Sequence, residues 1–341
     1  MIFAGLLIIL ALVLFLPFLT KKVEENLEVF LFIMGCVAVS ITRQWSTSLI
    51  KEAFIEPIKI TLAVFLAGLA FSFLQKAITH NVNKIANALG LKIFAFLLVV
   101  LLGLISSVIT AIIAALVLVE IITALKLDKQ NEIRLIVLSC FSIGLGAALT
   151  PIGEPLSTIA IAKLKGEPFR ADFLFLFRNL AGYIIPGIVA FGLLGSIFMP
   201  EEIKDIHGLK EGNEEKFKDI FLRASKVYVF IMALIFLGRG FKPIVDLCVA
   251  KMPYQGLYWL NSISAIVDNA TLTAAEIGTA LSLVQIKSAL MGLLIAGGML
   301  IPGNIPNIIA AGKLKIKSSE WAKFGAPIGL AAMLIYFFLL H

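Results

Sequence analysis

Between residues 93 and 125 the chain carries one charged side chain, Glu120, and further apolar runs occupy 2–20, 60–74 and 280–301. Most of these runs are long enough for a helix to cross a hydrocarbon core of about 30 Å, a medium in which a helix pairs its own backbone polar groups. Composition agrees: 60% of the 341 residues are hydrophobic and 15% charged, and the mean hydropathy is +1.01, outside the balance of soluble domains. The expected fold is an all-α polytopic membrane protein with about 10–12 membrane segments.

The first run has no basic residue before it and no small-residue cleavage site after it, only Lys21 and Lys22. It therefore reads as a retained helix rather than a cleaved signal. Cys36, Cys140 and Cys248 sit in apolar surroundings without metal spacing and read as small hydrophobes. The net charge of +7 is spread over many connecting stretches, as in loops held at a cytoplasmic face. The partner this implies is the lipid bilayer, and no nucleic acid is expected.

The sequence repeats. A shift of 156 positions lays SSVITAIIAALVLVEIITAL (106–125) on SISAIVDNATLTAAEIGTAL (262–281), matching Ser106 with Ser262, Glu120 with Glu276 and Thr123 with Thr279. TPIGEPLSTIAIAKLK (150–165) then meets IPGNIPNIIAAGKLK (301–315) with a one-residue gap, and both end in Lys-Leu-Lys. Two membrane helices are expected upstream of each pair, at 27–42 and 57–76 and at 172–198 and 224–240. A short mixed segment follows each and reads as an interfacial arm. The division is scaffold helices 1–76, arm 77–91, transport repeat 92–165, second scaffold helices 166–240 with a polar loop 200–226, arm 241–255, second transport repeat 256–315 and a C-terminal membrane helix 316–341. If each half crosses an odd number of times the halves are inverted repeats, the plan of many secondary transporters.

An ionisable group at membrane depth costs several kcal/mol on insertion scales unless it faces a cavity or a partner. Asp268 is the clearest instance, in a stretch from 252 to 286 without Lys or Arg. On a helix, Asn261, Ser264, Asp268 and Thr271 would share one face, a stripe of oxygen ligands suited to a hard cation such as Na⁺. The alternative is that Asp268 and Asn269 only hydrogen-bond a neighbouring helix. Glu276 and Glu120 lie near the ends of their runs, where snorkelling or a loop cation competes with a functional role. The repeat is asymmetric, since Ile112 and Ile113 stand where the second half has Asp268 and Asn269.

The second motif pair is rich in helix breakers: Pro151, Gly153 and Pro155 in one half, Pro302, Gly303 and Pro306 in the other. Broken backbone at membrane depth is tolerated where it lines a cavity, with proline-kinked helices as the plain alternative. Thr150 and Glu154 lie in the first break, Asn304 and Asn307 in and after the second.

Ser-Ala-x-x-Asp-Asn followed by a Gly/Pro/Asn break resembles the ion transporter superfamily, which contains NhaD-type sodium/proton antiporters, arsenite efflux permeases and sodium-coupled dicarboxylate symporters. Within it the chain looks most like a prokaryotic group of predicted cation transporters. The resemblance covers nearly the whole chain as layout and 106–165 with 261–315 as motif. It implies re-entrant hairpins and discontinuous helices, a scaffold that dimerises, a multi-pass place in a prokaryotic cell membrane, and Ser264, Asp268 and Asn269 as ion or proton ligands. The paired Ser-Asn-Thr signatures of the dicarboxylate symporters are not present in both halves, which argues against a carboxylate substrate.

The expected activity is exchange of Na⁺ or a similar monovalent cation for protons by alternating access. Asp268 is the shared ligand, Na⁺ is held by Asp268, Asn269, Ser264 and Asn304, and Glu154 is a second titratable group. A sodium-coupled symporter or efflux permease for a small anion or neutral solute is the alternative, and a passive channel stays open. No enzyme is expected: His80, His207 and His341 lie in an arm, a loop and the C-terminus, and no HExxH or Gly-x-Gly-Asp pair occurs. No cofactor is implied beyond Na⁺ and H⁺ as transported ions.

Overall fold

A computed structural model describes residues 2–200, 217–249, 252–265 and 269–340, and all regular structure among them is helical. The first part of the chain folds as α1 (Ile2–Leu19), α2 (Lys21–Glu25), α3 (Leu27–Thr42), α4 (Thr47–Leu89), α5 (Leu91–Ile109), α6 (Ala111–Leu125), α7 (Lys129–Ala147), α8 (Pro155–Lys163) and α9 (Phe175–Phe198). The second part adds α10 (Phe217–Val249), α11 (Tyr254–Leu260), α12 (Asn269–Glu276), α13 (Leu283–Gly297), α14 (Ile305–Leu314) and α15 (Ser318–Leu340). Local chemistry sets several boundaries. Ser46 caps α4 by accepting from the Leu49 amide, Asp128 caps α7, Ser282 and Gln285 form a capping box on α13, and Gly90 turns α4 into α5 at φ 78°.

Among the described residues four stretches are long and apolar enough to cross a membrane unaided: Leu91–Ile109, Phe175–Phe198, Ile220–Pro243 and Ser318–Leu340. Four shorter apolar stretches accompany them, Ile2–Pro17, Leu27–Thr42, Ala111–Leu125 and Leu283–Gly297. Leu7, Phe15, Ile197, Leu334 and Phe338 turn outward, each more than 50% exposed, an arrangement that suits lipid and not water. This is a multi-pass membrane protein. The count of self-sufficient spans falls below the expected one because the motif-bearing segments are cut into pieces such as α8, α12 and α14, too short to span alone.

Two sequence-based boundaries change. The helix expected at 57–76 and the arm at 77–91 are one 43-residue helix, α4. At about 1.5 Å per residue it is about 65 Å long, so it extends well beyond a hydrocarbon core. Likewise the second arm begins inside α10, which runs to Val249. Polarity marks where a helix leaves hydrocarbon, but it does not end the helix, since His80, Asn81 and Asn83 keep the backbone ladder intact. Of the polar loop expected at 200–226, residues 201–216 lie outside the described set, and α10 has begun by Phe217.

Small residues bring the outer helices together. A Cβ on Gly35 of α3 would sit 2.8 Å from the Phe236 Cβ of α10, and one on Gly240 would sit 2.5 Å from the Ala38 Cβ. Such contacts let α3 and α10 pack backbone to backbone, and α4 lies against the same α10. Further in, α5, α7 and α9 pack on one another, as α13 does on α11 and α15. The order long helix, hairpin, long helix, break, short helix, long helix occurs twice, from α4 to α9 and from α10 to α15. The packing is reciprocal: α4 meets α6 as α10 meets α12, and α6 packs on α14 of the other half as α12 packs on α8.

Candidate functional site

Each half carries a break after its central helix. In the first, α7 ends at Ala147 and α8 starts at Pro155 with Glu154 as its N-cap residue; in the second, α13 ends at Gly297 and α14 starts at Ile305 with Asn304 as its N-cap residue. Proline and glycine prevent the ladder from running through, and the freed carbonyls are met by side chains one helical turn into the next segment. Ser157 donates to the Ala147 carbonyl at 3.4 Å, and Asn307 donates to the Gly297 carbonyl at 2.8 Å. Donor and acceptor in the second half each lie 150 positions after those in the first. Asn307 uses the same nitrogen to reach the Leu300 carbonyl at 2.9 Å.

The first hairpin, α5 with α6, is closed on its break. Thr150 donates to the Ser107 carbonyl, the Ala111 amide donates to the Gly153 carbonyl at 2.8 Å, and Thr110 accepts from Ile113 at the start of α6. Ser106 and Ser142 tie α5 to α7 through the Ile143 and Val99 carbonyls. Thr150, expected as an ion ligand, is thus engaged in holding hairpin and break together.

The second hairpin is built differently. The continuous helix expected to align Asn261, Ser264, Asp268 and Thr271 is absent. α11 stops at Leu260, a 3-10 turn covers Asn261–Ala265, and α12 begins at Asn269. Asn261 ends α11, and its amide donates sideways to the Ala289 carbonyl of α13 at 3.0 Å. Ser264 therefore lies in the 3-10 turn and Thr271 within α12. Asp268 lies outside the described residues, directly before Asn269.

Asn269 is buried, and neither atom of its carboxamide meets a hydrogen-bond partner among the described residues. It rests on Gly297: a Cβ there would be 2.7 Å from Asn269 Nδ2, 3.1 Å from Asn269 Oδ1 and 3.1 Å from the Gly303 carbonyl oxygen. Asn307 bonds the carbonyl of that same Gly297, and its own Oδ1 is unmatched. Two buried carboxamides and the second break therefore converge on one glycine. Asn304, also buried, reaches across to α7, where a Cβ on Gly144 would be 2.8 Å from its Nδ2. Glu154 is buried at the start of α8.

The two glutamates matched by the repeat differ. Glu120 pairs with Lys313 of α14 at 3.3 Å, both side chains largely buried. Glu276 is buried at the end of α12 beside Asn261, and neither of its carboxyl oxygens has a hydrogen-bond partner among the described residues. Sequence reasoning had noticed the Lys-Leu-Lys that ends each motif without assigning Lys313 a partner. It also passed over Gly144 and Gly297, whose missing side chains make room for Asn304 and Asn269. The helix breakers were the available signal for such close approaches. Among the described residues no three His, Cys, Asp or Glu side chains cluster, so the unmatched groups around Gly297 are amide and carbonyl in kind.

No curated protein matches the chain. A family model described as "Protein of unknown function (DUF1646)" matches residues 3–341, nearly its whole length.

Proposed function

The chain belongs to the DUF1646 family, a membership that assigns no activity; from its second break we propose that it is a secondary active transporter exchanging Na⁺ or a similar monovalent cation for protons. The observation that carries this reading is the convergence of Asn269 and Asn307 on Gly297 with their carboxamide oxygens unmatched. Buried polar atoms in native proteins are paired as a rule, and a hard cation with oxygen preference is a partner that answers several of them at once. Asp268 supplies the charge from the position next to Asn269. Ser264 and Asn304 complete the ligand set, with Glu154 as a second titratable group. One carboxylate that holds either a cation or a proton couples the two flows by competition.

Alternating access follows from an inverted repeat. That architecture is supported by the element order that occurs twice, by the Ser157 and Asn307 bonds 150 positions apart, and by the reciprocal packing of α6 on α14 and α12 on α8. The resemblance to the ion transporter superfamily adds a homodimeric scaffold in a prokaryotic cell membrane. In proteoliposomes with a preset pH gradient, Na⁺ is expected to collapse the gradient and Asp268→Asn to abolish that response while the protein stays folded. Exchange that survives in the variant overturns the assignment of Asp268, and no response to Na⁺, Li⁺ or K⁺ overturns the antiporter.

One feature favours a sodium-coupled carrier of a small anion. α8 and α14 begin at the two breaks without a side-chain cap. Pro155 and Pro306 have no N–H, and the Ser157 and Asn307 amides bond the Glu154 and Asn304 carbonyls, which leaves the Leu156 and Ile305 amides as anion donors. Labelled solute uptake that requires Na⁺ and no pH gradient would select that reading instead.

A further inference from the structure

Glu276 is the buried acid for which the exchange mechanism has no use. Its repeat counterpart shows what the position is built for. Glu120 on α6 meets Lys313 in the last turn of α14, and the matching lysine 150 positions earlier is Lys163, the last residue of α8, the helix on which α12 packs. The ends of these elements are close: a Cβ on Gly166, just after α8, would lie 4.0 Å from the Thr279 Cγ2, just after α12. Yet Lys163 is exposed, Glu276 is 4% exposed, and no ion pair joins them.

Other charges do not replace Lys163. Among the described side chains on the elements packed against α12, Lys287 of α13 lies over the Tyr183 ring, and Arg239 and Lys226 of α10 pair with Glu52 and Glu28. Lys242 is engaged as well, Lys218 is exposed at the start of α10, and Glu154 stands at the opposite end of α8. Among the described residues the polar group beside Glu276 is the Asn261 carboxamide, which gives one N–H to the Ala289 carbonyl and whose unmatched Oδ1 can accept from a protonated Glu276. A carboxylate buried without a cation is costly, whereas the neutral acid suits such a place.

We propose that Glu276 is a proton-binding site that holds its proton in this conformation and releases it when Lys163 folds onto it, as Lys313 lies on Glu120. The carboxylic acid gives its proton to water at the outer end of α12, and the carboxylate left behind pairs with the Lys163 ammonium. The two Glu–Lys contacts then close alternately, one in each conformation of the duplicated core. The inference rests on the transporter reading for the existence of a second conformation, though not on which ion is moved.

The test is infrared difference spectroscopy of full-length protein in liposomes, read through the carbonyl stretch of protonated carboxylic acids and its shift in D2O. At neutral pH the wild type is expected to show a band that Glu276→Gln removes and Glu120→Gln leaves; identical spectra for wild type and Glu276→Gln overturn the site. Glutamine copies the shape of the neutral acid, so that variant is expected to fold. Lys163→Met is expected to move the pH at which the band disappears up by about one to three units, the effect of losing a close opposite charge. No response to Lys163→Met overturns the pairing. Cation-driven collapse of a pH gradient is measured on the same samples. Exchange without the band removes the Glu276 site and keeps the antiporter, and the band without exchange does the reverse.

Discussion

The two halves share an order of elements and differ in what they leave unmatched. In the first, Thr150, the Ala111 amide, Ser106 and Ser142 all find backbone partners, and Glu120 has Lys313. In the second, Asn261, Asn269, Asn307 and Glu276 are buried with oxygens that have no partner among the described residues. The same order of elements thus makes two similar frames, and the second leaves more of its buried carboxamide and carboxyl oxygens unmatched. In the first, buried unmatched atoms among the described motif residues are confined to the Ser139 hydroxyl and one oxygen of Glu154. A frame whose groups are satisfied by its own backbone is a support. One whose groups are not is where the proposed ion and proton would find partners.

Three pairs of substitutions probe that contrast. The largest effect is expected at the helix crossings, where a Cβ on Gly146 would lie 1.7 Å from the Gly103 carbonyl oxygen, against 2.7 Å from the Tyr258 carbonyl oxygen for Gly292. Gly146→Ala is expected to cost more than about 3 kcal/mol and Gly292→Ala about 1–3 kcal/mol, read as loss of monodisperse protein and as melting temperature in detergent. Equal losses would mean that the two crossings bear the same load.

Next comes the equivalent pair in the breaks. Asn307→Ala strips the Gly297 and Leu300 carbonyls of their donor and is expected to cost about 2–3 kcal/mol and to weaken cation binding. Ser157→Ala removes one long bond, is expected to cost less than about 1 kcal/mol, and leaves binding unchanged. Isothermal titration with Na⁺ beside thermal unfolding reads both. Weakened binding in Ser157→Ala alone would move the site to the first half.

The smallest effect is at the glutamates. Glu120→Gln removes the carboxylate that faces the largely buried Lys313 and is expected to cost about 1–3 kcal/mol, partly restored in the double variant Glu120→Met/Lys313→Met. Glu276→Gln is expected to change unfolding by less than about 0.5 kcal/mol, because it mimics the neutral acid. A large loss there would show that the carboxylate carries a stabilising charge.

Much of the frame was legible in the residues. The helix breakers at 151–155 and 302–306 foretold both interruptions, and the Ser/Glu/Thr matches at 156 positions foretold that similar elements recur in the second half. The stripe through Asn261 and Asp268 failed because periodicity describes a helix only while the helix continues. Nothing in the local sequence says that Asn261 turns its amide to Ala289 and that a 3-10 turn follows. The boundary at 76/77 differs for the opposite reason, since polar residues suggest an end where α4 simply continues.

The chain by itself determined that the fold is helical and lives in lipid, because apolar runs of this length leave the backbone no other way to pair its polar groups. It also determined that polar chemistry is concentrated in two duplicated motifs. The tertiary structure decided which of those polar groups stay unmatched. That depends on neighbours far away in sequence: Gly297 under Asn269, Lys313 beside Glu120, and the exposed Lys163 that leaves Glu276 without a charge. Hydrogen bonding and ion pairing are short-ranged in space and blind to sequence distance, so two nearly equal motifs acquire different partners only when the helices around them are packed.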